Sequence, residues 1–136
     1  MKDYTQDNAL AQIKLLAVDM DLTLLAHDGT QPPRMTERIS ALSKAGVLFC
    51  PASGRPAPTL QMMFPEHADD IAFCSDNGGC VIYKGQTLFK DLIKPSLYHE
   101  VLDCVVEEGA GVGVLCCFDR AYVLETGTIS MSGDAN

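Results

Sequence analysis

The run Ile13-Lys14-Leu15-Leu16-Ala17-Val18 is almost unbroken in its apolar character and stops abruptly at Asp19, with a second carboxylate, Asp21, two residues further on. A short continuous apolar run reads as a strand covered on both faces, which is the signature of a parallel sheet inside an α/β domain. We therefore expect a central parallel strand that delivers two carboxylates where the chain leaves the sheet.

The downstream segments repeat the theme. After a loop rich in Gly29, Pro32 and Pro33, the apolar residues Met35, Ile39, Leu42 and Ala45 recur at helical spacing, and Gly46 supplies a C-terminal stop. Val47–Cys50 reads as a second buried strand, Ser53-Gly54-Arg55-Pro56 as a tight turn, Thr59–Phe64 as a short helix and Ile71–Cys74 as a third strand. The order βαβαβ predicts right-handed crossovers and a ligand site outside the carboxyl ends of the strands, where Asp19, Ser53 and Asp76 all fall. From Cys80 the texture changes. Val81–Tyr83 and Thr87–Phe89 flank a Lys84-Gly85-Gln86 turn and read as a hairpin opening a second unit. A helix from Pro95 to about Glu108, with Leu97, Val101, Cys104 and Val105 on one face, and a hairpin of Val112–Phe118 and Ala121–Glu125 continue it, while 126–136 reads as a frayed tail.

With 136 residues, 47% of them hydrophobic and 21% charged, the chain can bury a core. A net charge of −8 with Lys and Arg scattered singly excludes a basic stripe for nucleic acid. No apolar run reaches the length of a membrane span, and the polar leader lacks the pattern of a signal peptide, so we expect a cytoplasmic protein. The six cysteines form no Cys-x-x-Cys pair and mostly sit in apolar runs, which points to buried free thiols, with Cys116 and Cys117 on opposite faces of a strand. His27, His67 and His99 lie in separate segments without metal-ligand spacing and read as solvated or capping residues.

Two carboxylates at the end of a buried strand suit phosphoryl chemistry. The first can attack phosphorus, and the second can protonate a leaving oxygen and later deprotonate water. Like charges beside an anionic phosphate require a divalent cation, most naturally Mg²⁺ with its preference for oxygen ligands. The same pair would also serve as loop-capping aspartates. Ser53-Gly54-Arg55 offers a hydroxyl and exposed amides to a phosphate oxygen, though such turns also join strands and helices without binding anything. Asp76-Asn77-Gly78-Gly79 reads either as a hinge or as a contributor to the site.

The segment Leu15–Leu25 resembles the first motif of the haloacid dehalogenase-like hydrolases, and Pro51–Pro56 resembles their second. The Asn77-Gly78 entry into a hairpin is similar to the Cof-type branch of sugar-phosphate phosphatases, where an α/β cap follows the third core strand. The resemblance implies a partial Rossmann-like, parallel three-layer α/β core followed by the first part of an α/β cap. It divides the chain into a polar leader (1–10), a partial core (11–79), a partial cap (80–125) and a flexible tail (126–136).

By position it makes Asp19 the nucleophile that forms a phosphoaspartate and Asp21 the acid/base, with both at the Mg²⁺ site, Asp21 through its backbone carbonyl. Thr23 braces the loop, Ser53 and Gly54 hold the phosphoryl group, and Arg55, Met20 and Asn77 belong to the phosphate and substrate contacts. The implied partner is a small phosphorylated metabolite. Leu22 stands where the branch usually has Gly. The family's later lysine has no counterpart, since the last lysine is Lys94, and Gly133-Asp134-Ala135-Asn136 only faintly echoes the family's acidic fourth motif. The resemblance thus also implies a chain that stops within the cap and a first strand without its outer neighbours, an exposed edge that offers a route to self-association. Two other readings remain at this point. One is an inactive fragment or pseudoenzyme. The other is a phospho-accepting receiver using Asp76.

Overall fold

A computed structural model describes residues 8–109, 111–117, 121–125 and 128–132. β1 (Leu15–Asp19) leads through a long loop to α1 (Met35–Lys44), followed by β2 (Leu48–Ala52), α2 (Ala57–Met62) and β3 (Ala72–Ser75). α1 turns Met35 and Ile39 into the core, with Leu42 packed beside them, the i, i+4, i+7 stripe that its sequence spacing requires. Gly46 (φ 75°) ends it: the Gly46 N–H donates to Ser43 O and the Val47 N–H to Leu42 O, the paired bonds of a left-handed glycine stop.

β1, β2 and β3 are parallel neighbours, as the alternation of strands and helices predicts. β4 (Cys80–Tyr83) and β5 (Gln86–Lys90) then form the expected hairpin, with Lys84 and Gly85 both left-handed at its turn. The hairpin does not open a separate layer. β4 pairs antiparallel with β3, giving one five-stranded sheet in the order β1-β2-β3-β4-β5. The change of texture at Cys80 therefore marks a reversal of strand direction within one sheet.

Apolar side chains from α1, α2 and the middle strands make the core. Phe73, Ile39 and Leu60 are essentially inaccessible, and Phe64 sits between Phe49 and Phe73 with ring centroids 6.0 and 6.4 Å away. Truncating a buried ring such as Phe73 to Ala would cost about 3–5 kcal/mol.

β1 is an edge strand, as the resemblance implied and unlike the central strand that its apolar run alone suggests, and only Val18 among its five residues is even partly buried. Leu15 remains 54% exposed and Leu16 38%. The physical reason is the missing neighbour: among the described residues no strand pairs with its outer edge, as the resemblance implied. The sequence shows that β1 is apolar enough to be covered but not what covers it.

α3 (Pro95–Glu108) has Pro at its first position and left-handed Gly109 at its end, yet it buries no side chain, and Leu97 and Val101 are exposed. β6 (Val114–Cys116) and β7 (Ala121–Glu125) form the second expected hairpin, whose turn at Asp119-Arg120 lies outside the described residues. β8 (Thr128–Ser132) pairs antiparallel with β7, so this part of the supposed frayed tail is a strand; its alternating Thr-Ile-Ser-Met-Ser pattern suits that role. Gly133–Asn136 and most of the leader lie outside the described residues, and Asn8–Gln12 is a short 3₁₀ turn.

The cysteines are free, but only Cys50 and Cys80 are buried, while Cys104 and Cys116 are exposed. Burial was expected from their apolar surroundings in sequence; α3 and β6 do not pack those surroundings away.

Candidate active site

Parallel pairing brings the carboxyl ends of β1, β2 and β3 to one edge. The register sets Asp19 beside Ala52, and Ala52 beside Cys74, so the residues that follow each strand converge there. Beyond Asp19 the chain makes a wide turn closed by the Leu25 N–H donating to Met20 O at 2.8 Å, with both side chains anchored in the core. Within this turn the Thr23 hydroxyl donates to Asp19 Oδ2 at 3.0 Å, fixing the orientation of the exposed carboxylate.

On the second loop the Arg55 N–H donates to Ser53 Oγ at 3.2 Å, which leaves the serine's own hydrogen available to an anion. Gly54 has a specific reason to lack a side chain: a Cβ there would stand 2.9 Å from Asn77 Oδ1. From the third loop Asn77 and Gly78 complete an open cavity of about 320 Å³ that is also lined by Asp19, Ala52, Ser53, Gly54 and Cys74.

Four sequence candidates, Asp19, Ser53, Gly54 and Asn77, thus share one cavity, and Thr23 joins them through Asp19. Asp21 and Arg55 stand together beside it, with Arg55 Nη2 donating to Asp21 Oδ1 at 2.6 Å. Met20 differs from expectation. Its side chain is fully inaccessible within the core, so only its backbone N–H remains for a phosphate contact. Hydrophobic burial beside Leu25 outweighs its position between two catalytic candidates. Asp76 is also diverted: its Oδ2 accepts from the buried Ser75 hydroxyl at 2.9 Å, and it does not line the cavity, which argues against a phospho-acceptor role there.

Leu22, where the resemblance implies glycine, lies at φ 59°, the left-handed backbone that glycine adopts freely. Sequence reasoning missed His67. A separate cavity of about 130 Å³ runs along Met35, Ile39 and Met63 to His67, which is 7% exposed, neither solvated nor a cap, with both ring nitrogens lacking a hydrogen-bond partner and Asp70 Oδ2 3.6 Å away. Burial by Phe64 and its neighbours, not spacing, makes it so. His27 and His99 are exposed.

The donor chemistry at the strand edge suits Mg²⁺. Asp19 offers a carboxylate, and Asp21 a backbone carbonyl and the carboxylate oxygen that Arg55 does not hold, all hard oxygens. Among the described residues no cluster of three or more His, Cys, Asp or Glu could hold an ion. Mg²⁺ commonly keeps several waters and uses only one or two protein carboxylates, so the two residues present fit such a site.

A family model described as haloacid dehalogenase-like hydrolase matches residues 16–135. The 5-amino-6-(5-phospho-D-ribitylamino)uracil phosphatase YbjI of Escherichia coli (strain K12) is 32% identical over 114 residues, covering 83% of this chain and 42% of that protein. Among solved structures, SMU.1108c from Streptococcus mutans UA159 superposes with a TM-score of 0.73 at 25% identity, covering 80% of this chain and 42% of the other. A hydrolase of the same description from Bacteroides thetaiotaomicron gives a TM-score of 0.70 at 18% identity, covering 84% and 44%, a likeness of fold alone. The chain spans about two fifths of the length of these relatives.

Proposed function

This chain belongs to the haloacid dehalogenase-like hydrolases, and on that premise we propose that it forms the phosphoryl-transfer half of a Mg²⁺-dependent phosphomonoesterase of the Cof type. The observation that carries the reading is the shared cavity at the strand edge, where the Asp19 carboxylate, oriented by Thr23, faces Ser53, Gly54 and Asn77.

In this reading Asp19 Oδ attacks phosphorus in line with the ester oxygen. As the new O–P bond forms and the ester bond breaks, Asp21 delivers its proton to the departing alkoxide. Water then attacks phosphorus of the aspartyl phosphate and loses a proton to Asp21, releasing orthophosphate and the Asp19 carboxylate. The Ser53 hydroxyl and the backbone amides of the Gly54 loop hold the non-bridging oxygens, where preorganised donors lower the barrier most. Mg²⁺ held by the Asp19 carboxylate and the Asp21 carbonyl would supply the positive charge that offsets the phosphoryl oxygens. Asn77, exposed at the rim, is placed to touch the rest of the substrate.

The substrate class we infer is a small phosphorylated metabolite of sugar or polyol type, supported by the phosphoribityl compound in the name of the Escherichia coli relative. We assign the activity to the cytoplasm; no helix among the described residues is long and apolar enough to cross a membrane.

The test is Mg²⁺-dependent release of phosphate from a chromogenic monoester by the 136-residue chain beside Asp19→Asn. Activity that disappears in the variant supports the reading. If neither protein releases phosphate, the chain is a non-catalytic fragment, and the hydrolase activity requires residues beyond those on these three loops.

A further inference from the structure

β2 and β3 share one aligned residue pair, Ala52 with Cys74, yet the loops that follow them are bound together more firmly than the strands require. The Ser53 N–H donates to Cys74 O at 2.9 Å, the Asn77 N–H to Ser53 O at 3.1 Å and the Asp76 N–H to Arg55 O at 3.1 Å. To make these bonds, Asp76 and Asn77 both adopt left-handed backbone, φ 54° and 55°, a conformation uncommon for residues with a Cβ and best tolerated by Asn and Asp. The Asp76 carboxylate is turned away from the cavity onto the Ser75 hydroxyl, 2.9 Å distant and fully buried. The same clamp brings Asn77 so close to Gly54 that no side chain would fit at position 54 without displacing it.

We propose that Asp76 is a positioning residue for the phosphate loop: its left-handed backbone locks the loop after β3 onto Ser53-Gly54-Arg55 and so presents the Ser53 hydroxyl to the anion, while its carboxylate bond to Ser75 offsets the strain that a Cβ brings to this conformation. The inference rests on the phosphate-site reading above. Asp76 itself touches no substrate. Two consecutive left-handed residues at the rim of a functional cavity are strain retained where it organises a site, and here the three backbone hydrogen bonds and the buried hydroxyl are what retain it.

Two variants separate backbone from carboxylate. Asp76→Ala disfavours the left-handed conformation and removes the bond to Ser75, whereas Asp76→Gly removes the carboxylate but permits the conformation. Amide hydrogen exchange at Ser53 and Asn77, corrected for intrinsic rates, reads the clamp, and ³¹P NMR titration reads orthophosphate affinity. We expect Asp76→Ala to accelerate exchange at both amides at least about fivefold and to weaken orthophosphate binding by a similar factor, with Asp76→Gly within about twofold of the unaltered chain in both. Unchanged exchange in Asp76→Ala, accelerated exchange with unchanged affinity, or an equally large loss in Asp76→Gly would each overturn the proposal. If the unaltered chain binds no orthophosphate, the phosphate-site reading fails and the positioning role falls with it, while the exchange rates still decide whether Asp76 clamps the two loops.

Discussion

Arg55 Nη2 lies 2.6 Å from Asp21 Oδ1, joining the loop after β2 to the loop after β1 across 34 positions of sequence. Asp21 is 64% exposed, so solvent screening keeps the contribution of this pair to stability below about 1 kcal/mol. Its use is geometric: the guanidinium limits where the Asp21 carboxylate, the proposed acid/base, can point.

Removing that constraint should therefore be felt in rate rather than in stability. In a chain that shows phosphatase activity, Arg55→Gln is expected to lower kcat by roughly 10- to 100-fold, the scale of a misplaced catalytic group. The urea midpoint should move little, and Arg55→Lys should recover part of the loss. Steady-state kinetics beside equilibrium unfolding makes the distinction; a loss of stability large enough to account for the lost activity would argue for a structural role instead.

Leu22 occupies a left-handed conformation (φ 59°) with 74% of its surface exposed. Its side chain has little packing to lose, while the backbone carries a strain of about 1–2 kcal/mol that glycine does not feel. Glycine gives back part of this through its freer unfolded chain. Leu22→Gly should stabilise the protein by about 0.5–1 kcal/mol, seen as a higher urea midpoint, whereas Leu22→Ala should bring no such gain.

Burial pushes the Cys50 thiol up, with neighbouring Cys74 adding to the effect. The folded state thus keeps its proton at a pH where the unfolded chain, with an ordinary thiol pKa of about 8.5, has begun to lose it. In that window the unfolded state binds fewer protons, so stability falls as pH rises. The contribution is fully present below about pH 8 and declines above it. Urea midpoints at about pH 7.5 and about pH 9.5, on either side of the ordinary thiol pKa, should differ less in Cys50→Ala than in the unaltered chain. Equal differences would assign the alkaline loss to other groups.

Among the described residues no strand pairs with the outer edge of β1, whose apolar side chains include Leu15 at 54% exposure. Such an edge is a template for another strand, and lysine is a common device that blunts it. Sedimentation velocity over a concentration series should show reversible self-association of the 136-residue chain that Leu15→Lys reduces. A monomer at all concentrations would mean the edge is protected by other means.

Much of this organisation was legible in local pattern. The apolar run ending at Asp19, the 35, 39, 42 stripe closed by Gly46, and the glycine turn between β4 and β5 each carry their structure within a few residues, because helix period, left-handed glycine and strand burial are short-range constraints. The illegible part depended on partners distant in sequence. The continuation of β3 into the hairpin and the exposure of α3 are decided by what packs against each element, and an apolar run looks the same whether or not its neighbour is present.

The candidate site divides in the same way. By itself the sequence determined which chemistry is on offer, since two carboxylates at a strand end and a Ser-Gly turn at the next are local facts, and parallel topology obliges them to meet at one edge. Tertiary structure alone decided how they meet. It buried Met20 in the core, turned Asp76 onto Ser75, set Arg55 against Asp21 and pressed Asn77 onto Gly54. These outcomes come from hydrogen-bond geometry and steric exclusion acting between loops, over distances that chain spacing does not encode.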